Sequence, residues 1–264
     1  MTVLSGDALA GKVVLISGGT QGVGAAAART AARCGASAVV VTGRRPDVAE
    51  PLIDELDVLG AEPLFVRADV SVVEEAVESV RTTIDTFGRV DCVVNAAALT
   101  DRGSLVDSTP EMFDAHIAVN LRAPFFIMQA AVRDMLSRDA AGTIVNIGSI
   151  SQHTGSSILS PYVASKGGLA SLTRNAAHSH RTDRIRVNCL NIGWTATEGE
   201  DATQRRFHGA GDGWLEEAGS RLPAGRLGDP DQIADMIVYL LSDGSGVVTG
   251  SVIDWDQTVM GGQD

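Results

Sequence analysis

Short runs of β-branched and aliphatic residues recur along this chain with helical stretches between them, and this alternation restricts the fold more than any other feature. The runs fall at 13–17, 38–42, 63–68, 92–95, 143–147, 186–190 and 251–254. Between them lie alanine- and leucine-rich stretches of helical period at 22–34, 47–59, 72–87, 110–138, 161–180 and 230–242. Strands that are apolar along their whole length are covered on both faces, and a helix after each strand carries the chain back for a parallel neighbour. Right-handed crossovers then predict an α/β fold, a doubly wound parallel sheet of about seven strands with helices on both faces. A length of 264 residues suits one such domain spanning 1–264. The stretch at about 195–226 lacks a clear period, with Gly199, Gly209, Gly211, Gly213 and Gly219 set among charged residues. A long unpatterned insert in a compact domain predicts a substrate lid or binding loop.

Charge and cysteine usage exclude several classes of function. The net charge of −12 argues against nucleic acid or an anionic membrane surface as partner. Cys34, Cys92 and Cys189 stand apart in apolar surroundings, without ligand spacing for a metal, and read as buried thiols of a reducing compartment. The N-terminus lacks the basic start and apolar run of a signal peptide, and no apolar stretch reaches membrane-spanning length, so the expected location is cytoplasmic.

The first strand runs directly into Gly18-Gly19-Thr20-Gln21-Gly22-Val23-Gly24 and then an alanine-rich helix. Glycines there permit a tight turn and let backbone approach a diphosphate at the helix N-terminus. The spacing is Gly-x-x-x-Gly-x-Gly, not the usual Gly-x-Gly-x-x-Gly of dinucleotide sites. After the second strand, where an NAD site places an acid for the ribose hydroxyls, this chain has Thr42-Gly43-Arg44-Arg45. Forked cationic donors suit a 2′-phosphate, so NADP(H) is favoured as cofactor, with NAD(H) the alternative.

Tyr162 and Lys166 are four apart in a helical stretch, and the chain has only one other lysine, Lys12. Positions i and i+4 share a helix face, which sets an ammonium beside a phenol. A nearby cation favours the phenolate, so the tyrosine pKa is expected to fall and the phenol to exchange a proton with a carbonyl or alcohol oxygen. Ser149, thirteen positions upstream of Tyr162, adds a hydroxyl.

Together these residues resemble the short-chain dehydrogenase/reductase superfamily, single-domain branch, over essentially the whole length. The resemblance is carried by Ser17-Gly18-x-x-x-Gly22-x-Gly24, Asp69-Val70, Asn95-Ala96-Ala97, Asn120, Ser149, Tyr162-x-x-x-Lys166 and Ile192-Gly193-x-x-x-Thr197. It implies a Rossmann-type fold and a hydride exchange between nicotinamide and a carbonyl or secondary alcohol. It further implies that Tyr162 is general acid or base, that Lys166 tunes it and holds the nicotinamide ribose, and that Ser149 steadies the substrate oxygen. Asn120 would hold a water beside Lys166 and complete a proton relay. Asp69 would contact the adenine, Asn95 to Ala97 would line the cofactor, and Thr197 would meet the carboxamide. A homotetramer, or a homodimer, would form with the 110–138 and 161–180 helices packed on their copies. The stretch from Ala123 to Met128 is apolar on more than one helical face, which agrees with such cover, and Trp255 and Met260 would pack near a neighbouring subunit.

The chain departs from the family pattern at Ser17 (usually threonine), Ala97 and Ile192 (usually glycine and proline), and Asp256-Gln257-Thr258 (usually Asp-Gly-Gly). These changes leave the proton-transfer residues intact but weaken any analogy about substrate. Gln152, His153 and Trp194 are candidates for the substrate wall, no metal site is expected, and Arg205 and Arg206 read as a solvated pair. The leading function is an NADP(H)-dependent carbonyl reductase or alcohol dehydrogenase acting on a small molecule. The alternatives are a 3-oxoacyl thioester (acyl carrier protein) reductase and a non-catalytic NADP(H)-binding regulator.

Overall fold

The computed structural model describes residues 4–259; Met260 lies outside them. The first half of the chain runs β1 (Val13–Ser17), α1 (Gly22–Arg33), β2 (Ala38–Gly43), α2 (Pro46–Val58), β3 (Glu62–Arg67), α3 (Val73–Phe87) and β4 (Cys92–Asn95). Next come α4 (Pro110–Ile117), α5 (Ala123–Ser137), β5 (Gly142–Ser149), α6 (Ser160–His180) and β6 (Ile185–Ile192). The last elements are α7 (Glu198–His208), α8 (Trp214–Ser220), α9 (Pro230–Leu241) and β7 (Val252–Trp255).

All seven strands pair in parallel in the order β3-β2-β1-β4-β5-β6-β7. Strands β1 and β4 are apolar up to their last residue because both faces are covered: Val14 and Ile16 pack under α1, α2 and α9, and Leu15 packs under α3 and α5. The order reverses at β1 and β4, which pair through Ser17 and Asn95 at their carboxyl ends. Crossovers leave that point in opposite directions, so a crevice opens there in any sheet of this topology.

Local chemistry sets the helix ends. Proline occupies the first position of α2, α4 and α9, where its missing N–H costs nothing. Thr109 caps α4 by accepting from the Met112 N–H at 3.2 Å, and Gly88 ends α3 with a φ of 76°.

One expectation about elements needs correction. The single helix over 110–138 is broken by a π-helical turn at Ala118–Arg122, where the ladder slips by one residue around Asn120. The insert at 195–226, unpatterned in the sequence, holds α7 and α8. Helix α7 is polar all round, and it is held by its caps and by i,i+4 pairs rather than by an apolar face. Thr197 Oγ1 accepts from the Glu200 N–H at 3.1 Å, Arg205 pairs with Asp201 at 2.8 Å, and Gly209 ends the helix with a φ of 63°. Among the described residues, no helix is long and apolar enough to cross a membrane, and no group of three metal-ligating side chains is assembled.

Candidate active site

A cleft of about 860 Å³ lies at the carboxyl ends of β1 and β4 and reaches from Arg44 to Glu200, Gln204 and His208 of α7. At one end the glycine turn forms a cradle. The Gly18 N–H donates to Thr42 Oγ1 at 3.2 Å, and the Gly19 N–H donates to the Thr42 carbonyl at 3.1 Å, which pins the turn to β2. Gly18 has a φ of 72°, and a Cβ there would stand 2.5 Å from Ala97 Cα; a Cβ on Gly24 would run into the Gly18 carbonyl. The turn therefore requires glycine for both conformation and space. Helix α1 opens on the cleft with no acid in its first turn and no side-chain cap, because the Gln21 amide oxygen accepts instead from Arg45 Nη2 at 2.7 Å. Uncapped N–H groups at a positive helix end, above a glycine cradle, fit a diphosphate. Arg44 is exposed at the mouth of the same end.

The other end holds the polar groups. Ser149 ends β5, and its hydroxyl lies 2.6 Å from Ser151 Oγ. Tyr162 and Lys166 project from the first turns of α6 into the floor of the cleft, with Lys166 Nζ 5.7 Å from the Tyr162 ring centre. The ammonium is 2% exposed and donates to the Ile147 carbonyl at 2.7 Å. Burial pushes the lysine down to about 8. Burial likewise pushes the Tyr162 phenol above its ordinary range; the facing Ser149 hydroxyl pulls it down, Glu200 adds to the rise and Arg102 opposes it. The fall expected from the lysine alone is thus reversed, because removal from water disfavours the phenolate more than its neighbours favour it.

A family model described as enoyl-(acyl carrier protein) reductase matches residues 18–258. An uncharacterized oxidoreductase of Thermotoga maritima is 34% identical over 246 residues, covering 93% of this chain and 96% of that one. The chain is a short-chain dehydrogenase/reductase. An L-rhamnose 1-dehydrogenase (NAD(P)(+)) of Sphingomonas is 31% identical over 247 residues, with 93% and 94% covered. The solved short-chain dehydrogenase/reductase of Serratia marcescens aligns with a TM-score of 0.84 at 28% identity, over 94% of this chain and 98% of that chain. Membership makes the protein an oxidoreductase of CH–OH and C=O groups that works with a nicotinamide cofactor.

In this dehydrogenase/reductase most residues singled out in the sequence do meet around one cleft. Gly18, Thr20, Gln21, Gly22, Val23, Arg44, Arg45, Asp69, Val70, Ala96, Ala97, Ile192, Trp194 and Thr197 line it with Ser149, Tyr162 and Lys166. Asp69 is held by Ser71, whose hydroxyl donates to it at 2.7 Å and keeps its carboxyl below the usual range.

Four residues depart from expectation. Asn95 does not line the cleft; it lies beneath it, 3% exposed, and donates to Asn146 Oδ1 at 2.7 Å. The Asn120 side chain is fully buried and committed: Oδ1 accepts from the Leu99 N–H at 2.8 Å, and Nδ2 donates to the Leu99 carbonyl at 2.9 Å and to Ser165 Oγ at 3.0 Å. Ser165 in turn donates to the Tyr162 carbonyl at 2.7 Å. Asn120 thus positions the Tyr162 turn through Ser165, and both of its Nδ2 protons are engaged. Gln152 and His153 are not among the residues that line the cleft. His153 Nε2 is 3.1 Å from Asp254 Oδ1, beside a second cavity of about 280 Å³ that Asp254 lines.

Sequence reasoning missed Arg102, Glu200, Gln204 and His208, all of which line the cleft. Glu200 had a signal: Thr197 and Glu200 make the Thr-x-x-Glu pattern of a helix start. Arg102 had none, being a single arginine whose partner Glu200 lies 98 residues away.

Proposed function

We propose that this protein is an NADP(H)-dependent carbonyl reductase or secondary-alcohol dehydrogenase in which Tyr162 exchanges the proton. The observation that supports this reading best is the joint placement of Tyr162, Lys166 and Ser149 on one floor beside the glycine cradle. The bound nicotinamide cofactor supplies or accepts the hydride. In the reducing direction Ser149 donates a hydrogen bond to the carbonyl oxygen and steadies the charge that develops there. Tyr162 gives that oxygen its phenolic proton, and in the oxidising direction it takes the proton back. A phenol kept protonated by burial is ready for reduction. Lys166 is mostly charged at neutral pH with a pKa of about 8, and it faces both the phenol and the cleft. Its remaining donors suit the ribose hydroxyls of the nicotinamide. Asn120 keeps the Tyr162 turn in place through Ser165.

NADP(H) is preferred on the strength of Arg44, exposed at the adenosine end with no acid in its place. A net charge of −12 gives no support to docking an acidic carrier protein, so the thioester reading is set aside. Three buried, unpaired thiols agree with a cytoplasmic location. We assign a homotetramer or homodimer built on α4 to α6. Phe113, Phe125 and Leu136 remain 44%, 43% and 44% exposed on these helices. The Phe125 ring rests edge-on against Phe126 at 5.1 Å.

The cofactor assignment is tested by measuring KM for NADPH and NADH over ketones and aldehydes. Wild type is expected to favour NADPH. Arg44→Ala is expected to raise KM for NADPH about tenfold or more, the loss of one charged hydrogen bond, and to leave NADH unaffected. Tighter wild-type binding of NADH contradicts the assignment.

A further inference from the structure

We propose that the substrate is a neutral polyhydroxylated carbonyl compound, or its alcohol form, selected by Glu200, Gln204 and His208 of α7 together with Arg102. This rests on the reading of the cleft as a Tyr162-dependent carbonyl and alcohol site. Residues 200, 204 and 208 are spaced by four and share one face of α7, and all three line the cleft. Glu200 Oε1 gathers donors from Trp194 Nε1 at 2.8 Å, Gln204 Nε2 at 2.7 Å and Arg102 Nη2 at 3.5 Å. Arg102 Nε reaches His208 Nε2 at 3.3 Å. The Arg102 and Glu200 side chains are 15% and 16% exposed, so both charges are largely out of water but face the cavity. Both line the same cleft as Tyr162 and Ser149, which sets the polar face at the reacting end.

That face suits one ligand chemistry. An alkyl chain seated there would strip solvent from a carboxylate and a guanidinium without replacing it. An anionic group drawn to Arg102 would meet the Glu200 carboxylate that already matches its charge. Hydroxyl groups both donate and accept, so adjacent hydroxyls bridge the carboxylate and the guanidinium together. Trp194, 39% exposed and stacked on Trp214 at 6.0 Å, offers a flat apolar surface for the C–H face of a ring.

The test compares a panel of aldopyranoses with cyclohexanol, which keeps the ring and one alcohol but lacks the other hydroxyls. The full-length protein is assayed with NADP+ and NAD+ as wild type, Glu200→Ala, Glu200→Gln and Gln204→Leu. Wild type is expected to favour aldoses in kcat/KM. Glu200→Ala and Gln204→Leu are expected to lower kcat/KM for aldoses about tenfold more than for cyclohexanol, the loss of one or two hydrogen bonds to a charged or polar partner, so that any general effect on Tyr162 cancels in the ratio. Glu200→Gln, which keeps an acceptor oxygen, is expected to fall between. Tryptophan fluorescence reports whether the Trp194–Trp214 stack survives; where Glu200→Ala disturbs it, Gln204→Leu and Glu200→Gln decide. A wild-type preference for cyclohexanol, or equal losses on both substrate types with the stack intact, overturns the proposal and leaves the Arg102–Glu200 tie a lid strut. Turnover that vanishes in Tyr162→Phe but ignores the extra hydroxyls sinks only this selection. Absence of turnover on every alcohol and carbonyl sinks the underlying reading as well.

Discussion

Lys166 carries a cost that its neighbours only partly offset. An ammonium 2% exposed, with one carbonyl at 2.7 Å, is held at a pKa of about 8 against an ordinary 10.5. Below pH 8 the folded and unfolded chains both carry the proton, and the penalty is full. Between about 8 and 10.5 only the unfolded chain keeps it, so stability rises with pH there, by at most on the order of 3 kcal/mol. Lys166→Met removes this dependence. In the ligand-free protein the variant is therefore expected to be the more stable at pH 7, and its advantage should shrink at high pH. Chemical denaturation of both proteins across that window measures it, and an advantage that stays constant with pH contradicts a buried, charged lysine. The opposite sign found for Tyr162 has the same origin. The sequence places a cation four residues away, but it does not show how deep the phenol lies, and depth decides the direction.

At the scale of elements, the glycine turn is the most constrained piece of the cleft. A Cβ on Gly24 meets the Gly18 carbonyl, which is backbone and cannot swing aside. Gly24→Ala is therefore expected to open the turn and weaken cofactor binding by at least about tenfold, with the rest of the sheet intact, since the clash is confined to Gly18 and Gly19. Fluorescence titration with NADPH, alongside circular dichroism, checks this; wild-type affinity would contradict the cradle. The turn, β1 and α1 were legible in the sequence because each advertises itself locally: five consecutive apolar or small residues, glycines at fixed offsets, and an alanine-rich helix. Helix α7 was not, because it has no apolar stripe and stands on capping and ion pairs that a periodicity search ignores. The π-helical turn at Ala118–Arg122 was equally silent, since one slipped hydrogen bond leaves the apolar pattern unbroken. Tyr162, Lys166 and Ser149 were found through spacing and resemblance, whereas Arg102 with Glu200, and Asn120 with Leu99, meet only after folding. His153 and Gln152 follow Ser149 closely in sequence, yet the short 3-10 turn at Ile150–Gln152 carries them off the wall.

On the scale of the whole molecule, the single sheet explains why one crevice gathers residues drawn from almost the entire chain. The order reversal at β1 and β4 is a property of topology, and every motif in the cleft sits at the carboxyl end of a strand or in the segment after it. Assembly is the other property at this scale. Apolar surface at Phe113, Phe125 and Leu136 predicts self-association, and light scattering at micromolar concentration is expected to give a mass several times that of one chain. Phe125→Glu should lower that mass, and a wild-type protein that runs cleanly as a single chain contradicts the assembly.

The central claim is that Tyr162 moves the proton while the cofactor site is built independently of its hydroxyl. Steady-state turnover of Tyr162→Phe, measured beside its NADPH affinity, tests this most directly. The expected result is a fall in kcat of about 10²–10⁴ with cofactor binding unchanged. Near-normal turnover in that variant would contradict the account.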